Sequence, residues 1–165
     1  MFSICELGEM VTNMKILVFS DSHGQLGHMM DAMERERPRR VFFLGDCYRD
    51  GEALRDAYPD VPMELVRGNC DWDKAPDELL VEAGGVRFLL THGHRYYVKS
   101  GPDHLARSAR ARGVDVVCFG HTHDALNMPN CGVWMLNPGT AGGIHARAGY
   151  GVIEVENGKF RTELR

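Results

Sequence analysis

Residues 15 to 24 read KILVFSDSHG: an unbroken apolar run, Ile16 to Phe19, empties into Asp21, Ser22 and His23 ahead of Gly24. A short apolar run closed by turn residues has the length and composition of a buried strand. The same form recurs along the chain. VFFL (41–44) runs into Gly45-Asp46, the run ending in Leu65-Val66 into Gly68-Asn69, VRFLL (86–90) into His92-Gly93-His94, and VDVVCF (114–119) into Gly120-His121-Thr122-His123. Five successive strand ends each deliver a metal-ligand residue type.

The intervals between these runs suggest helices. Leu26, Met29, Met30 and Met33 fall at helical spacing, which predicts an amphipathic helix over Gly27 to Arg37, closed by Pro38. Glu52 to Ala57 and Asp103 to Arg112 are further helix candidates. Beyond residue 123, strands are expected near Val133 to Leu136, Tyr150 to Val155 and Lys159 to Leu164, with Asn157-Gly158 as a turn and no helical pattern. Strand-helix alternation followed by antiparallel pairing is an α/β reading.

A chain of 165 residues has the length of one domain and can bury a core without disulfides. Residues 14–165 are read as a single domain, and residues 1–13 as an N-terminal extension without fixed order. The formal net charge of −4 gives no general attraction to nucleic acid or anionic lipid. Five widely spaced cysteines without a CxxC point to a reducing cytoplasm and away from a disulfide framework or a thiolate zinc site. No apolar run reaches the roughly 18 to 20 residues of a membrane span, and the acidic start makes a poor signal peptide.

In sheets with parallel strands the carboxyl ends share one edge, so residues far apart in sequence can converge there. The set that would meet is Asp21, His23, Asp46, Asn69, His92, His121 and His123. Taken singly, Asp21, Asp46 and Asn69 could equally be turn residues or helix caps. Together they mix carboxylate, amide and imidazole without thiolate, which suits Mn, Fe or Zn. Seven ligands exceed one transition metal but serve two ions sharing a carboxylate, held roughly 3.5 to 4 Å apart in such sites. Two dications offset by two aspartates would leave about two positive charges, favouring an anionic substrate. The same field would generate a bridging hydroxide near neutral pH.

The ordered motifs SDSHG (20–24), GD (45–46), GNCD (68–71), THGH (91–94) and GHTH (120–123) resemble the signature of the calcineurin-like metallophosphoesterase superfamily, and LNPGT (136–140) is similar to its final loop beside the site. Small size, GNCD and HGH make the chain most similar to the YfcE-type phosphodiesterases. The resemblance implies a four-layer sandwich, two mixed sheets packed face to face and flanked by helices. It further implies a binuclear centre, most often manganese with Zn2+, Fe2+ or Ni2+ as alternatives. Asp21, His23, Asp46 and His123 would hold one ion, and Asp46, Asn69, His92 and His121 the other, with Asp46 bridging.

The function implied is hydrolysis of a small-molecule phosphodiester, not a nucleic acid or a membrane substrate, by a chain that could form a dimer or tetramer. The alternatives are a phosphomonoesterase, or a scaffold of the kind the related retromer subunit resembles, with a vestigial metal site. Cys70 departs from the superfamily pattern, where larger members place a histidine assigned as proton donor; His94 is the nearest replacement, and Asn69 and His94 are the expected catalytic residues. Loss of general acid help, typically worth 10²- to 10⁴-fold, would favour good leaving groups. Cys70 itself is expected to be a small buried spacer. Asp71 would either orient a ligand or cap a turn, and Arg95, Lys99 and Arg147 are candidate substrate contacts.

Overall fold

The computed structural model describes residues 13–143 and 145–165, so the expected extension lies, apart from Asn13, outside the described residues. Apolar runs and helical stripes become, in chain order, β1 (Met14–Phe19), α1 (Leu26–Glu36), β2 (Arg40–Phe43), α2 (Tyr48–Ala57), β3 (Met63–Leu65), β4 (Glu78–Ala83), β5 (Val86–Thr91), α3 (Asp103–Ala111), β6 (Val116–Cys118), β7 (Leu126–Asn130), β8 (Val133–Asn137), β9 (Gly151–Glu156) and β10 (Lys159–Leu164). Two short 3₁₀ turns, His94–Tyr96 and Val98–Ser100, lie between β5 and α3.

The strands form two mixed five-stranded sheets, ordered β10-β9-β1-β2-β3 and β4-β5-β6-β8-β7. In the first, β1, β2 and β3 are parallel, and β9 and β10 are added antiparallel. In the second, β5, β6 and β8 are parallel and the two outer strands antiparallel.

Strand alternation builds the layers, because successive side chains point to opposite faces. Ile16, Val18 and Phe42 of the first sheet meet Phe88, Leu90, Val116 and Cys118 of the second in one buried cluster. The rings of Phe42 and Phe88 cross there edge to face at 5.3 Å. The intervening residues Leu17, Phe19, Val41 and Phe43 face Met29, Ala32 and Met33 of α1 and Leu54 of α2. On the far side Leu89, Val117 and Phe119 receive Leu105, Ala106 and Ala109 of α3. The resulting order is helices, sheet, sheet, helix, the expected four-layer sandwich.

Three features depart from the sequence expectation. Strands β4 and β7 were not anticipated, and both are sheet edges. An edge strand packs against one neighbour and keeps a weak apolar signal: β4 reads ELLVEA and exposes Leu80, while β7 reads LNMPN. Pro129 within β7 argues against a central strand and is at home on an edge. The third departure is α2, which begins at Tyr48 and carries Gly51 in its second turn. A Cβ there would meet the Phe43 and Leu65 side chains at 2.7 and 2.9 Å, so close helix-sheet packing, and not a helix break, accounts for that glycine. Among the described residues no helix is long and apolar enough to cross a membrane.

The parallel strands β1, β2, β3, β5 and β6 end together, and the loops that follow them come from both sheets. Away from that edge, Glu36 closes the far end of α1. It is buried and accepts hydrogen bonds from Lys15 Nζ (3.2 Å), Tyr150 OH (2.9 Å) and Arg165. Burial alone would raise its pKa, but the bonds from Arg165, Tyr150 and Lys15 outweigh it and hold Glu36 below its ordinary 4.5. A depressed folded-state pKa contributes stability that is present above the unfolded value and lost as pH falls through the folded one. Glu36→Gln should therefore lower unfolding free energy at neutral pH by about 1 to 3 kcal/mol. Urea titrations at several pH values should show a shallower acid loss below 4.5 in the variant than in the parent; equal slopes would remove Glu36 from the account.

Candidate metal centre

The site is assembled from turns that the chain can make only at some conformational cost. Asp21, His23, Asp46, His121 and His123 all have positive φ, at 55°, 47°, 57°, 70° and 61°. Aspartate and histidine enter this region more readily than most residues, yet each such position costs on the order of 1 to 3 kcal/mol and persists only where its surroundings hold it. Glycines supply the clearance. A Cβ on Gly68 would overlap Asp46 Oδ1, and one on Gly120 would overlap Ser20 Oγ.

What holds the turns is a set of buried polar side chains. Asp71 accepts four backbone N–H bonds: Oδ2 from Asp46 (2.9 Å) and Gly68 (2.7 Å), and Oδ1 from Cys47 (2.9 Å) and Tyr48 (2.8 Å). Asp71 thus ties the backbone at Asp46 to that at Gly68 and caps the N-terminus of α2. Cys70 N–H donates to Asp46 Oδ1 at 3.0 Å. Ser20 Oγ donates to Asp21 Oδ2 at 2.6 Å, as does the His121 N–H at 3.1 Å. Asn137, fully buried in the LNPGT loop, donates to the Gly120 carbonyl and to Thr122 Oγ1, while Thr140 Oγ1 donates to the Asp21 carbonyl at 2.7 Å.

These braces bring the expected residues into two clusters that share Asp46. Asp21, His23, Asp46 and His123 offer ligand atoms within 4.8 Å of one another, and so do Asp46, His92 and His121. His123 Nε2 is 3.0 Å from Asp21 Oδ1, and the Nε2 atoms of His23 and His123 face each other at 3.3 Å. His92 is fully buried. Its Nδ1 donates to the Leu44 carbonyl at 2.8 Å, which turns Nε2 toward Asn69 Oδ1 (3.1 Å) and Asp46 Oδ1 (3.4 Å). The whole expected ligand set is therefore brought together.

The chemistry of these atoms fits divalent cations. Asp21 Oδ1 is buried, and although His123 Nε2 lies 3.0 Å away it makes no aligned hydrogen bond, an expensive state for a carboxylate oxygen unless a cation completes it. Burial, with His92 nearby, pushes His121 down to about 4, so it offers an unprotonated ring. Burial would raise Asp46, but the bond and charge of His92 and the Cys70 N–H override it and keep Asp46 ionised far into acid. Burial would lower His92, yet Asp46 and Asp21 hold it above its ordinary value, the response of a nitrogen placed where two carboxylates call for positive charge.

His94 starts the first 3₁₀ turn beside the centre. Its ring lies 5.5 Å from that of His92 and 6.1 Å from that of His121, with Nδ1 buried and without a partner. Burial and His92 lower its pKa. Cys70 corrects an expectation: it is exposed, not a buried spacer, because its N–H is turned to Asp46 Oδ1 at the tip of the loop between Gly68 and Asp71. Partial desolvation of its thiol, with Asp46 and Asp71 close by, raises its pKa, which is the wrong direction for a nucleophile. Arg95 is engaged by Asp77 at 2.9 Å, whereas Lys99 lines a cleft with Phe119 and Thr122, and Arg147 one with His123. Of the bracing residues, Ser20 and Asp71 stand inside SDSHG and GNCD and Asn137 inside LNPGT, and the sequence singles out only Asp71 among them.

Comparisons with known proteins identify the family. The family model described as the calcineurin-like phosphoesterase superfamily domain matches residues 14–158. The probable metallophosphoesterase YsnB of Bacillus subtilis is 34% identical over 148 residues, covering 87% of this chain and 86% of its own. Phosphodiesterase YfcE of Escherichia coli (strain K12) is 27% identical over 154 residues, with 77% and 79% covered. The structure of Vacuolar Protein Sorting 29 from Cryptosporidium parvum superposes with a TM-score of 0.73 over 93% of this chain and 97% of that one, at 18% identity, and so shares the fold. On the family match and the relationship to YsnB, the chain belongs to the calcineurin-like phosphoesterase superfamily and is a metal-dependent phosphoesterase.

Proposed function

We propose that residues 14–165 act as one domain that hydrolyses small-molecule phosphodiesters with two divalent cations, manganese before Zn2+, Fe2+ or Ni2+, in a cytoplasmic setting. The observation that carries this is the sharing of Asp46 between the two ligand clusters. When bound, two such cations supply Lewis acidity toward phosphoryl oxygens and a nucleophilic hydroxide at neutral pH. Asp21, His23, Asp46 and His123 would hold the first ion, and Asp46, Asn69, His92 and His121 the second.

The chain's own work is orientation. Asp71 fixes the Asp46 carboxylate through the backbone of its loop, and the Leu44 carbonyl fixes the His92 tautomer so that Nε2 faces inward. His94, beside His92 and His121, presents a ring N–H to the phosphoryl group and steadies its charge. Position 70 carries an exposed thiol in place of an imidazole, so the leaving oxygen departs with little proton assistance and good leaving groups are preferred. The likeness to Vacuolar Protein Sorting 29 is one of fold and does not separate enzyme from scaffold; the complete ligand set supports the enzyme.

Purified protein stripped with a chelator should be inactive on an activated aryl phosphodiester and regain activity with manganese. Asp46→Asn and His121→Ala should each abolish that activity, and full rate in both variants would refute the mechanism. Asp71→Asn should retain the fold yet weaken manganese binding and activity by roughly 10- to 100-fold, because the amide presents N–H groups to backbone donors. Titration calorimetry with manganese reads this directly, and parental affinity in the variant would deny Asp71 its positioning role.

A further inference from the structure

Trp72 immediately follows the clamp residue Asp71 and is 95% exposed, whereas the other tryptophan, Trp134, packs on Phe160 and donates to Asn127. An indole offered to solvent is an apolar surface of large area left uncovered. It does not stand on a loose tip. Asp71 ties the backbone on its N-terminal side to Asp46, Cys47, Tyr48 and Gly68, and on its C-terminal side the Ala75 N–H bonds the Asp73 carbonyl at 3.0 Å.

The indole borders a cleft of about 590 Å³ whose walls include His23, Tyr48, Arg49, Cys70 and Asp73. His23 belongs to the first ligand cluster, so this cleft opens onto the metal centre. Its volume matches a ligand of nucleotide size. Arg49, 3.9 Å from Asp73, adds a cation at the cleft wall. A second cleft of about 450 Å³, between Val98, Pro102 and Leu126, touches no residue of the ligand set and presents no exposed aromatic ring.

We propose that Trp72 is a stacking platform for an aromatic ester group of the substrate, a nucleobase or an aryl ring, and thereby a specificity-determining residue of this site. The proposal rests on the phosphodiesterase reading above and adds the substrate class to it. A phosphodiester whose phosphorus sits at the metal centre extends its ester groups away from it, and the cleft beside His23 receives one of them. Tyr48 and the Arg49 guanidinium supply a second planar surface and a cation for the same group. Dialkyl esters gain nothing from these surfaces.

The test compares the manganese-loaded parent with Trp72→Ala and Trp72→Phe on bis(p-nitrophenyl) phosphate, a nucleoside cyclic monophosphate and glycerophosphoglycerol, a diester with neither aromatic ring nor cation. Trp72→Ala should lower kcat/KM on the two aromatic diesters by roughly 5- to 150-fold, the range of base-aromatic stacking, mainly through KM. Trp72→Phe should recover most of that loss, and glycerophosphoglycerol turnover should change less than twofold. An equal effect on all three substrates, or none on the aromatic pair, overturns the proposal while leaving the phosphodiesterase reading intact. If the parent hydrolyses none of the three, the phosphodiesterase reading fails, and Trp72 is judged by fluorescence in a Trp134→Phe background. Quenching by AMP or phenyl phosphate but not by glycerol phosphate upholds the platform and separates nucleobase from aryl ring; absence of quenching by AMP and phenyl phosphate overturns it.

Discussion

The carboxylate of Asp71 is the constraint on which the centre depends. Four backbone N–H groups from two loops and one helix terminus converge on its two oxygens. Hydrogen bonds to a charged group contribute roughly 1.5 to 3 kcal/mol each, enough together to offset the left-handed backbone at Asp46 and Cys47. The alternative, four buried donors facing one another without an acceptor, is far worse. The loop after β2, the loop after β3 and the start of α2 therefore move as one unit, and the shared residue Asp46 inherits its position from them.

A second set of contacts joins this unit to the other sheet. His92, at the end of β5, donates to the Leu44 carbonyl at the end of β2, and so crosses the sandwich just above the apolar interface of Phe42, Phe88 and Leu90. Thr140 does the same between the loop after β8 and the loop after β1, while Asn137, at the end of β8, ties its own strand to the loop after β6 within the second sheet. Sliding one sheet against the other would break these bonds and part the ligands at once. Core packing and metal-site geometry are thus one constraint, since a close-packed interior does not deform continuously.

This division explains what the sequence disclosed. The buried strands β1, β2, β5 and β6 announce themselves as apolar runs because they face apolar neighbours on both sides, and the ligand types at their ends are visible for the same reason: polar residues stand out after such runs. The edge strands β4 and β7 lack one neighbour and with it the pattern, although the Gly84-Gly85 and Cys131-Gly132 turns, with positive φ throughout, would have marked both hairpins. The role of Asp71 stayed undecided because it depends on four backbone groups contributed by other segments. Trp72 carried no signal at all, since exposure is a property of the fold.

Residue 70 gains a different meaning in this frame. Cys70 is exposed on its loop and offers the leaving oxygen no imidazole, while Asp46 and Asp71 disfavour its thiolate. Catalysis must then come from positioning and from charge at the centre, and the burden of expelling the leaving oxygen falls on the substrate. An ester of low basicity meets that demand, and aryl esters are such esters. The aromatic ring that makes an oxygen a good leaving group is also one that an exposed indole can hold. Cys70 and Trp72 lie two residues apart on the same pinned loop, so a requirement for weakly basic leaving groups and a surface for aromatic ones are set by a single stretch of backbone.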